Sequence, residues 1–282
     1  ENAETEENTA YQGEELNAAN EKMLTEDHSM IELTSVYPDD LEGYQAFTYP
    51  IPDKNAQVLV PITVISEDKE DRTWFEQFEE LMVNLSEEDW GLTDYYPLNA
   101  QLKYDEEEKT VHVDVPSDHK YAFGSTNERM FLSALRHLFP KEKVDKLIFT
   151  TAGQNGITLG NYGEMYELEN ASENQYAYFF LEDEKNPEPY LVPAEHSFDH
   201  INEALSEMET DQAEWGLKAS LPEDVHIDLL QTDDDSQTLH LKLSDDSKVD
   251  EEFIYSLEAI SLTAKNFGYT SIKLENAGVE QI

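Results

Sequence analysis

Two histidines with neighbouring carboxylates have the spacing most typical of a metal site. His196 and His200 are four residues apart, and Glu195 and Glu203 are close to them in the chain. Side chains at i and i+4 share one face of a helix, so this spacing could hold zinc. However, Ser197 stands where zinc proteases have the glutamate that acts as general base. The run also crosses the predicted start of a helix, which places His196 outside it. We therefore expect capping or surface histidines here and no metal site.

Two further segments resemble ligand-binding loops. The glycines of Gly153–Gly163 fit neither the dinucleotide-binding fingerprint nor the phosphate-binding P-loop, while Asn155-Gly156 is a strong turn signal. Asp233–Asp235 resembles a calcium loop but lacks its glycine at the sixth position and its glutamate at the twelfth. We predict a turn at the first segment. At the second we predict an exposed hairpin turn, with weak cation binding as an alternative.

No set of residues marks a catalytic centre. The chain has no cysteine, and no serine lies in a Gly-x-Ser-x-Gly context. Carboxylates are so abundant that close pairs will occur by chance, and no spacing distinguishes one pair. We predict no catalytic, cofactor-binding or metal-binding residues and a protein that is not an enzyme. The remaining histidines are scattered, namely His112, His119, His137, His226 and His240.

The charge of the chain excludes two classes of partner. It has 63 acidic and 18 basic residues, for a net charge of −45. Phosphate backbones and anionic membrane surfaces would both be repelled. One interpretation is a solvated surface suited to salt, to alkaline surroundings or to a wall rich in counter-ions. The other is a surface that binds cations or cationic peptides.

Most of the chain consists of two similar sequence segments in tandem, and the fold of these segments must position any functional residues. The period is too long for a solenoid and indicates one small domain used two times. The corresponding pairs are Val58–Pro61 and Tyr190–Pro193, Trp90–Leu92 and Trp215–Leu217, and Ala152-Gly153 and Ala277-Gly278. The last two pairs are each 125 residues apart. Because the two tryptophans occupy matching points, we interpret them as structural plugs.

The first module is predicted to have the order β-β-α-β-β-α-β. Thr73 with Glu76, and Ser125 with Glu128, form two capping boxes, each followed by apolar residues at helical spacing. Pro140 ends the second helix. The predicted strands are Tyr44–Tyr49, Val58–Ile65, Leu98–Tyr104, Thr110–Val115, Val144–Thr150 and, after the Gly153–Gly163 turn, Glu164–Leu168. Pro50, Pro52 and Asp53 are expected to separate the first two.

The second module is predicted to repeat that order. Ser197 caps a helix through Met208, and a longer helix from Phe253 to Phe267 ends at Gly268 in the C′ position. The predicted strands are Tyr176–Leu181, Tyr190–Val192, Val225–Leu229, Thr238–Leu243 and Ser271–Leu274. The fold class is α+β, with two tandem modules, each a mixed sheet packed by two helices.

The predicted boundaries are residues 1–43 for an acidic flexible tether, 44–170 for the first module and 171–282 for the second. The tether is low in large apolar side chains. The first module continues for about a dozen residues past its Ala-Gly pair, whereas the second stops four residues past Gly278. We therefore expect a final strand to be missing and the second module to be C-terminally truncated. No apolar run reaches the ~18 residues that span a bilayer.

These modules resemble the GerM-type domain, which occurs in pairs in spore-germination and sporulation envelope proteins of Gram-positive bacteria. A narrower resemblance is to the extracytoplasmic region of the Bacillus anti-sigma factors that restrain sigma-X. It covers roughly Tyr44–Ile282 and is best in the second module. The residues that carry it are Tyr190–Asp199, Glu203–Glu209 and Leu262–Tyr269.

The resemblance implies the outer regulatory or sensor region of a membrane-bound anti-sigma factor, a negative regulator of an extracytoplasmic-function sigma factor. The sigma factor would be held by a cytoplasmic segment, and the membrane crossed by an N-terminal helix, neither of which is in this chain. The resemblance offers no catalytic or sigma-contacting residue to carry over. Envelope components or cationic ligands would be further partners, and no cofactor is implied. The alternatives are an envelope assembly protein of the sporulation type and, third, an enzyme acting on wall polymer.

Overall fold

The structure of the protein is a computed structural model. It describes residues 41–69, 71–170, 174–233, 236–244, 247 and 253–276. Almost all of the predicted tether 1–43 lies outside the described residues, as do Asp234, Asp235 and the second Ala-Gly pair at Ala277 and Gly278.

The first half has the predicted order of elements and then continues with four short strands. The principal elements are β1 (Tyr44–Pro52), β2 (Leu59–Glu67), α1 (Trp74–Val83), β3 (Gln101–Asp105), β4 (Thr110–Val115), α2 (Ser125–Leu138) and β5 (Lys146–Thr151). The additional strands are β6 (Gln154–Asn155), β7 (Ile157–Leu159), β8 (Gly163–Met165) and β9 (Glu167–Glu169).

The second half repeats the seven principal elements in the same order. They are β10 (Tyr178–Asp183), β11 (Asn186–Pro193), α3 (Ile201–Glu207), β12 (Ile227–Asp233), β13 (Thr238–Leu243), α4 (Phe253–Asn266) and β14 (Ser271–Asn276). The predicted α+β class with two similar modules in tandem is confirmed.

The two halves also share their strand pairing. Each opens with an antiparallel hairpin, β1–β2 or β10–β11. In each, a second hairpin, β3–β4 or β12–β13, gains a third strand that runs parallel to its last strand, and a helix makes the crossover. In the first half β6 and β9 then pair with β5, so its sheet has five strands.

Local sequence explains where several elements begin and end. Thr73 caps α1: its hydroxyl accepts from the Glu76 amide, and the Glu76 carboxylate accepts from the Thr73 amide. This confirms the first predicted capping box. Gly268 follows α4 with φ of +89°, a conformation that glycine adopts without strain, and so confirms the predicted helix end.

The second predicted capping box is wrong. The N-cap of α2 is Gly124, and no side chain caps the helix. The Glu128 carboxylate is buried and accepts instead from the Asn161 amide at 2.8 Å. A contact with the β7–β8 turn has therefore replaced the local cap.

Three other local predictions need correction. Pro50 and Pro52 lie within β1, which tolerates proline because β2 is its only partner strand among the described residues. Gly153–Gly163 is not one turn, since it contains β6 and β7. Ser197 caps no helix, because the amide of Phe198 bonds to the Gln175 carbonyl and delays α3 until Ile201.

One hydrophobic cluster runs through both halves. It includes the inward face of β4, where Val111, Val113 and Val115 are fully buried, and extends to Leu239 and Leu241 on β13. From Val111 to Val115, buried residues of β4 alternate with half-buried ones, as in a strand with one face on the core. The modules therefore share a core and do not fold around two separate ones.

Among the helices of the described ranges, none combines the length and the apolar composition that crossing a membrane would require.

Candidate functional site

The two histidines with zinc-like spacing do not lie on one helix face. His200 is the N-cap of α3, and His196 lies in the preceding loop, where its ring is 4.7 Å from that of Phe198. Both histidines are exposed. The neighbouring Glu195 turns away and pairs with Arg129 of the first module. Glu195 thus serves a contact between modules.

The other sequence candidates are also dispersed. His112 lies on β4 and His240 on β13, whereas His226 precedes β12. His119 is buried, and burial lowers the pKa of its imidazole. His137 lies on the exposed side of α2 beside Tyr176. Within the described ranges, no three histidine, aspartate or glutamate side chains converge as a metal site would require.

The repeated Trp-Gly-Leu segments lie instead at a joint between the modules. In each module the tip of the opening hairpin approaches the Trp-Gly-Leu turn of the other module. We call the two hairpin tips, Asp53–Gln57 and Asp183–Asn186, with the two turns, Glu88–Leu92 and Glu214–Leu217, and the bridging pair Arg129 and Glu195, the intermodule joint.

One side of the joint places the second hairpin on the first Trp-Gly-Leu turn. Tyr190 of β11 donates its hydroxyl proton to the Trp90 carbonyl at 2.7 Å, and the Lys185 ammonium donates to the Glu88 carbonyl. Gly91 has φ of +76°, and a Cβ at this position would overlap the Asp183 carboxylate. This glycine is therefore required both by its backbone angle and by the close approach of the other module.

The other side of the joint places the first hairpin on the second Trp-Gly-Leu turn. The Gln57 side-chain amide donates to the Glu214 carbonyl at 3.1 Å. Gly216 also has a positive φ, of +70°, but the nearest atom to a Cβ there would be Gln57 Oε1 at 3.8 Å. The two sides of the joint therefore correspond in position, but the other module approaches Gly91 more closely than Gly216.

The hairpin tip of the first module is held in shape by Asp53. Its buried carboxylate accepts from the amides of Asn55 at 3.0 Å, Gln57 at 2.6 Å and Val58 at 2.9 Å. This is the local turn that aspartate side chains favour. It presents Lys54, whose ammonium lies 2.7 Å from the Asp183 carboxylate and joins the two hairpin tips.

Arg129 of α2 connects three parts of the joint. Its guanidinium donates to the Ala56 and Gln57 carbonyls at 3.1 and 3.0 Å and to the Glu195 carboxylate at 2.9 Å. It also lies 5.5 Å from the centre of the Trp215 ring, within the range of a cation–π interaction. The planar, five-donor guanidinium suits such a set of partners better than an ammonium would.

The carboxylates of the joint differ in protonation behaviour. Burial raises the pKa of Glu195, and the Arg129 guanidinium offsets this only in part. Burial acts in the same direction on Asp183, but hydrogen bonds from Lys54 and the Lys185 amide prevail and lower its pKa. Asp183 therefore holds its negative charge firmly at the centre of the joint.

Sequence reasoning found the Trp-Gly-Leu turns but gave them a different role. Trp90 is buried, in agreement with a core plug, whereas Trp215 is only partly buried and faces Arg129. The signal that could have revealed the joint is the glycine repeated beside each tryptophan, because close approach of another segment is one reason for glycine. The joint offers no nucleophile or acid–base pair, and its evident role is to fix one module against the other.

The chain is similar to proteins of one regulatory family. Residues 39–168 match the family model described as the anti-sigma-X factor RsiX central domain. The chain is 23% identical over 266 residues to the anti-sigma-X factor RsiX of Bacillus subtilis (strain 168). The aligned region covers 90% of this chain and 68% of that protein. The resemblance to this group is confirmed. The family model covers the first module, although the motifs first noted lie mainly in the second.

A solved structure supports the fold. The chain is similar to the tandem GerMN domains of the sporulation protein GerM from Bacillus subtilis, with a TM-score of 0.59 and 14% identity, over 83% of this chain and 92% of that one. At this level of identity the likeness shows the fold alone. It is the fold expected from the duplicated β-β-α-β-β-α-β order.

Proposed function

We propose that this chain is the outer regulatory region of a membrane-anchored anti-sigma factor that restrains an extracytoplasmic-function sigma factor of the sigma-X type. The observation that carries the proposal is the similarity to an anti-sigma factor over 90% of the chain. The boundaries we propose are a tether at residues 1–43 and modules at 44–170 and 171–282. The sigma factor would be held by a cytoplasmic segment, and an N-terminal helix would cross the membrane.

The chemistry of the described residues favours regulation by binding over catalysis. The joint has structural contacts and no reacting groups, and neither relative carries the name of an enzyme. A net charge of −45 opposes contact with DNA, so control of transcription would be indirect. A ligand, a protein partner or proteolysis outside the membrane would shift the full-length protein between two states that hold the sigma factor differently.

The intermodule joint gives this proposal a physical basis. Because the modules share a core and reciprocal contacts, a structural change caused by binding at one module would be transmitted to the other module and to the start of β1. A loosely linked pair of domains would lose such a signal in independent motion.

The full-length protein in its own host provides the test. It should fractionate with the membrane, and a sigma factor should co-purify with it. Deleting the codons for residues 44–282 should change sigma-dependent transcription several-fold while the remaining segment still binds the sigma factor. Failure of any sigma factor to co-purify, or a protein found only outside the membrane fraction, would contradict the proposal.

A second experiment addresses the side of the membrane. A membrane-impermeant amine reagent applied to intact cells should label exposed lysines of this region, such as Lys54 and Lys185. Labelling only after lysis would place the region in the cytoplasm and refute the outer location.

An assembly role is the second candidate, and open strand edges favour it. In the described ranges β3 and β14 each pair on one side only. Strands with unpaired edges can join copies of a chain. Sedimentation of the purified chain separates the two candidates, because rings or arrays would favour assembly and a monomer would favour the regulator.

A further inference from the structure

The first module has an open cleft of about 880 Å³ beside the first turns of α1. We call it the edge cleft, because residues of two edge strands line it. Gln45 and Ala46 come from the beginning of β1, and Leu102, Lys103 and Tyr104 come from β3. The cleft shares none of the residues of the intermodule joint.

Both strands at the cleft have an edge without a partner strand in the described ranges. β1 pairs with β2 alone, and β3 pairs with β4 alone. Backbone N–H and C=O groups along such edges can pair with an added strand. The edge cleft therefore offers main-chain hydrogen bonds to an extended peptide, in addition to its side chains.

Aromatic rings form one wall of the cleft. The Tyr104 ring stacks on Phe75 at 5.5 Å and meets Trp74 edge-on at 5.0 Å. The Trp74 ring is only partly buried, and the Lys143 ammonium lies 5.3 Å from its centre. This cation–π contact indicates that the aromatic wall favours cationic groups.

The charge of the lining is negative. The lining includes four acidic residues, Asp68, Glu76, Glu79 and Glu106, and two lysines, Lys103 and Lys143. The N-terminus of α1 would ordinarily attract anions, but the Glu76 carboxylate of the capping box already accepts a hydrogen bond from a backbone amide there.

Glu79 is a partly desolvated carboxylate of the cleft that lacks an ion-pair partner among the described residues. Desolvation raises its pKa, and the neighbouring charge of Glu76 adds to this effect. No lysine or arginine of the described residues forms an ion pair with Glu79, whereas the adjacent Glu80 pairs with Lys69 and Arg72. An incoming ammonium or guanidinium group would compensate this partly desolvated carboxylate.

We propose that the edge cleft binds an extended peptide segment that carries lysine or arginine side chains. The segment adds a strand to the free edge of β3 and directs one cationic side chain between Glu79 and the aromatic wall. The open edge supplies affinity that is independent of sequence, and the acidic aromatic wall selects the cation.

Calorimetric titration of the purified chain tests this proposal. The probe is an octapeptide of alternating lysine and threonine, titrated in about 150 mM NaCl, where charges more than about 8 Å apart are largely screened. We expect saturable binding of one peptide. A second peptide has the same sequence, but the backbone nitrogen of each lysine is methylated. It keeps the side-chain charges and loses main-chain N–H donors, so it should bind at least about tenfold more weakly.

Matched variants separate the cleft from the general negative charge. Glu79→Gln should weaken binding about tenfold, whereas Glu223→Gln, an exposed carboxylate of the second module, should leave it unchanged. Circular dichroism and melting curves establish that both variants are folded. Equal weakening by the two substitutions, or no loss on N-methylation, would mean diffuse attraction to an acidic protein and would overturn the proposal.

The place of binding is checked by the backbone amide NMR signals of the wild-type chain. Signals of Gln101–Asp105 should shift on adding the peptide. Shifts confined to other segments would overturn the proposal, as would a stronger response to tetra-N-acetylchitotetraose, which would make the cleft a glycan site. The assay measures binding by the purified chain, so its result does not depend on whether the chain regulates a sigma factor.

Discussion

At the scale of single residues, Arg129 has the most varied contacts of the intermodule joint. It bonds to two carbonyls of its own module and to Glu195 and Trp215 of the other. Its removal would leave the partly buried Glu195 carboxylate without its cation. Few other cations are available to replace it, since the chain has 18 basic residues against 63 acidic ones.

Arg129→Ala should lower the free energy of unfolding by about 2 kcal/mol, because charged hydrogen bonds to partly buried partners are lost. Urea denaturation followed by circular dichroism measures this change. Arg136→Ala, on the same helix but outside the joint, should cost less than about 0.5 kcal/mol. Equal effects of the two substitutions would show that Arg129 contributes no more than a surface arginine.

Asp183 predicts how the joint responds to acid. Its pKa is lower in the folded chain than in the unfolded chain, so the folded state binds its proton less readily. Its stabilising effect is therefore complete above the usual aspartate pKa of about 3.9 and is lost as the pH falls below it.

Asp183→Asn should remove this component of the acid dependence. Between about pH 5 and pH 2 the stability of the wild-type chain should fall more steeply than that of the variant, as measured by melting temperature. Glu184→Gln, at the exposed neighbouring position, is the control and should keep the wild-type slope. Parallel curves for all three proteins would rule out Asp183 as a titrating contact.

Two pairs of residues show how far a local motif can be trusted. Thr73 with Glu76 and Ser125 with Glu128 have the same spacing, yet only the first pair caps its helix. Glu76 is exposed, and within the described residues its carboxylate accepts hydrogen bonds from Thr73 alone, so the local bond forms. Glu128 is buried under the β7–β8 turn and bonds to the Asn161 amide, which is 33 residues away in the chain. A tertiary donor has displaced the local one.

At the scale of elements, the joint uses one turn twice under unequal demands. Both Trp-Gly-Leu turns need a glycine with positive φ, but only the first has another module's carboxylate against it. The two glycines therefore share a positive φ, but only at Gly91 does the other module lie too close to admit a side chain.

Gly91→Ala should destabilise the chain more than Gly216→Ala. The second substitution should cost about 1 kcal/mol for a left-handed alanine. The first should cost about 3 kcal/mol, because Asp183 must also move away from Lys54. Thermal or urea unfolding of the two variants measures the difference, and equal costs would mean that the hairpin tip yields without penalty.

The elements themselves were largely predictable because their signals are local. The alternation of β4 and the apolar spacing of α1 and α4 follow from burial on one face. Where prediction failed, pairing was decisive. Prolines proved compatible with β1 because no strand of the described ranges pairs with its other edge. The glycine-rich segment formed β6 and β7 because β5 and β8 were there to pair with them.

At the scale of the whole molecule, charge is the dominant property. With a net charge of −45 the carboxylates repel one another, and among the described residues only a minority of them form ion pairs with a lysine or arginine. Dissolved salt screens this repulsion over distances longer than about 8–10 Å.

Raising NaCl from about 10 mM to about 500 mM should increase the melting temperature by at least about 2 °C, which corresponds to about 1 kcal/mol for a chain of this size. Differential scanning calorimetry measures the shift, and KCl at equal ionic strength should give the same one. A melting temperature that stays constant or falls with salt would show that the carboxylates are compensated in the folded state.

Sequence alone determined the duplicated α+β order, the acidic surface and the resemblance to anti-sigma factors. These properties rest on composition and on spacings of a few residues, which burial and hydrogen bonding constrain locally. Tertiary structure decided the joint and the edge cleft. Lys54 meets Asp183 across 129 residues, and Tyr190 meets Trp90 across 100. Such pairs depend on how two modules pack, and no local period records that packing, because neither partner's immediate sequence changes when the other approaches.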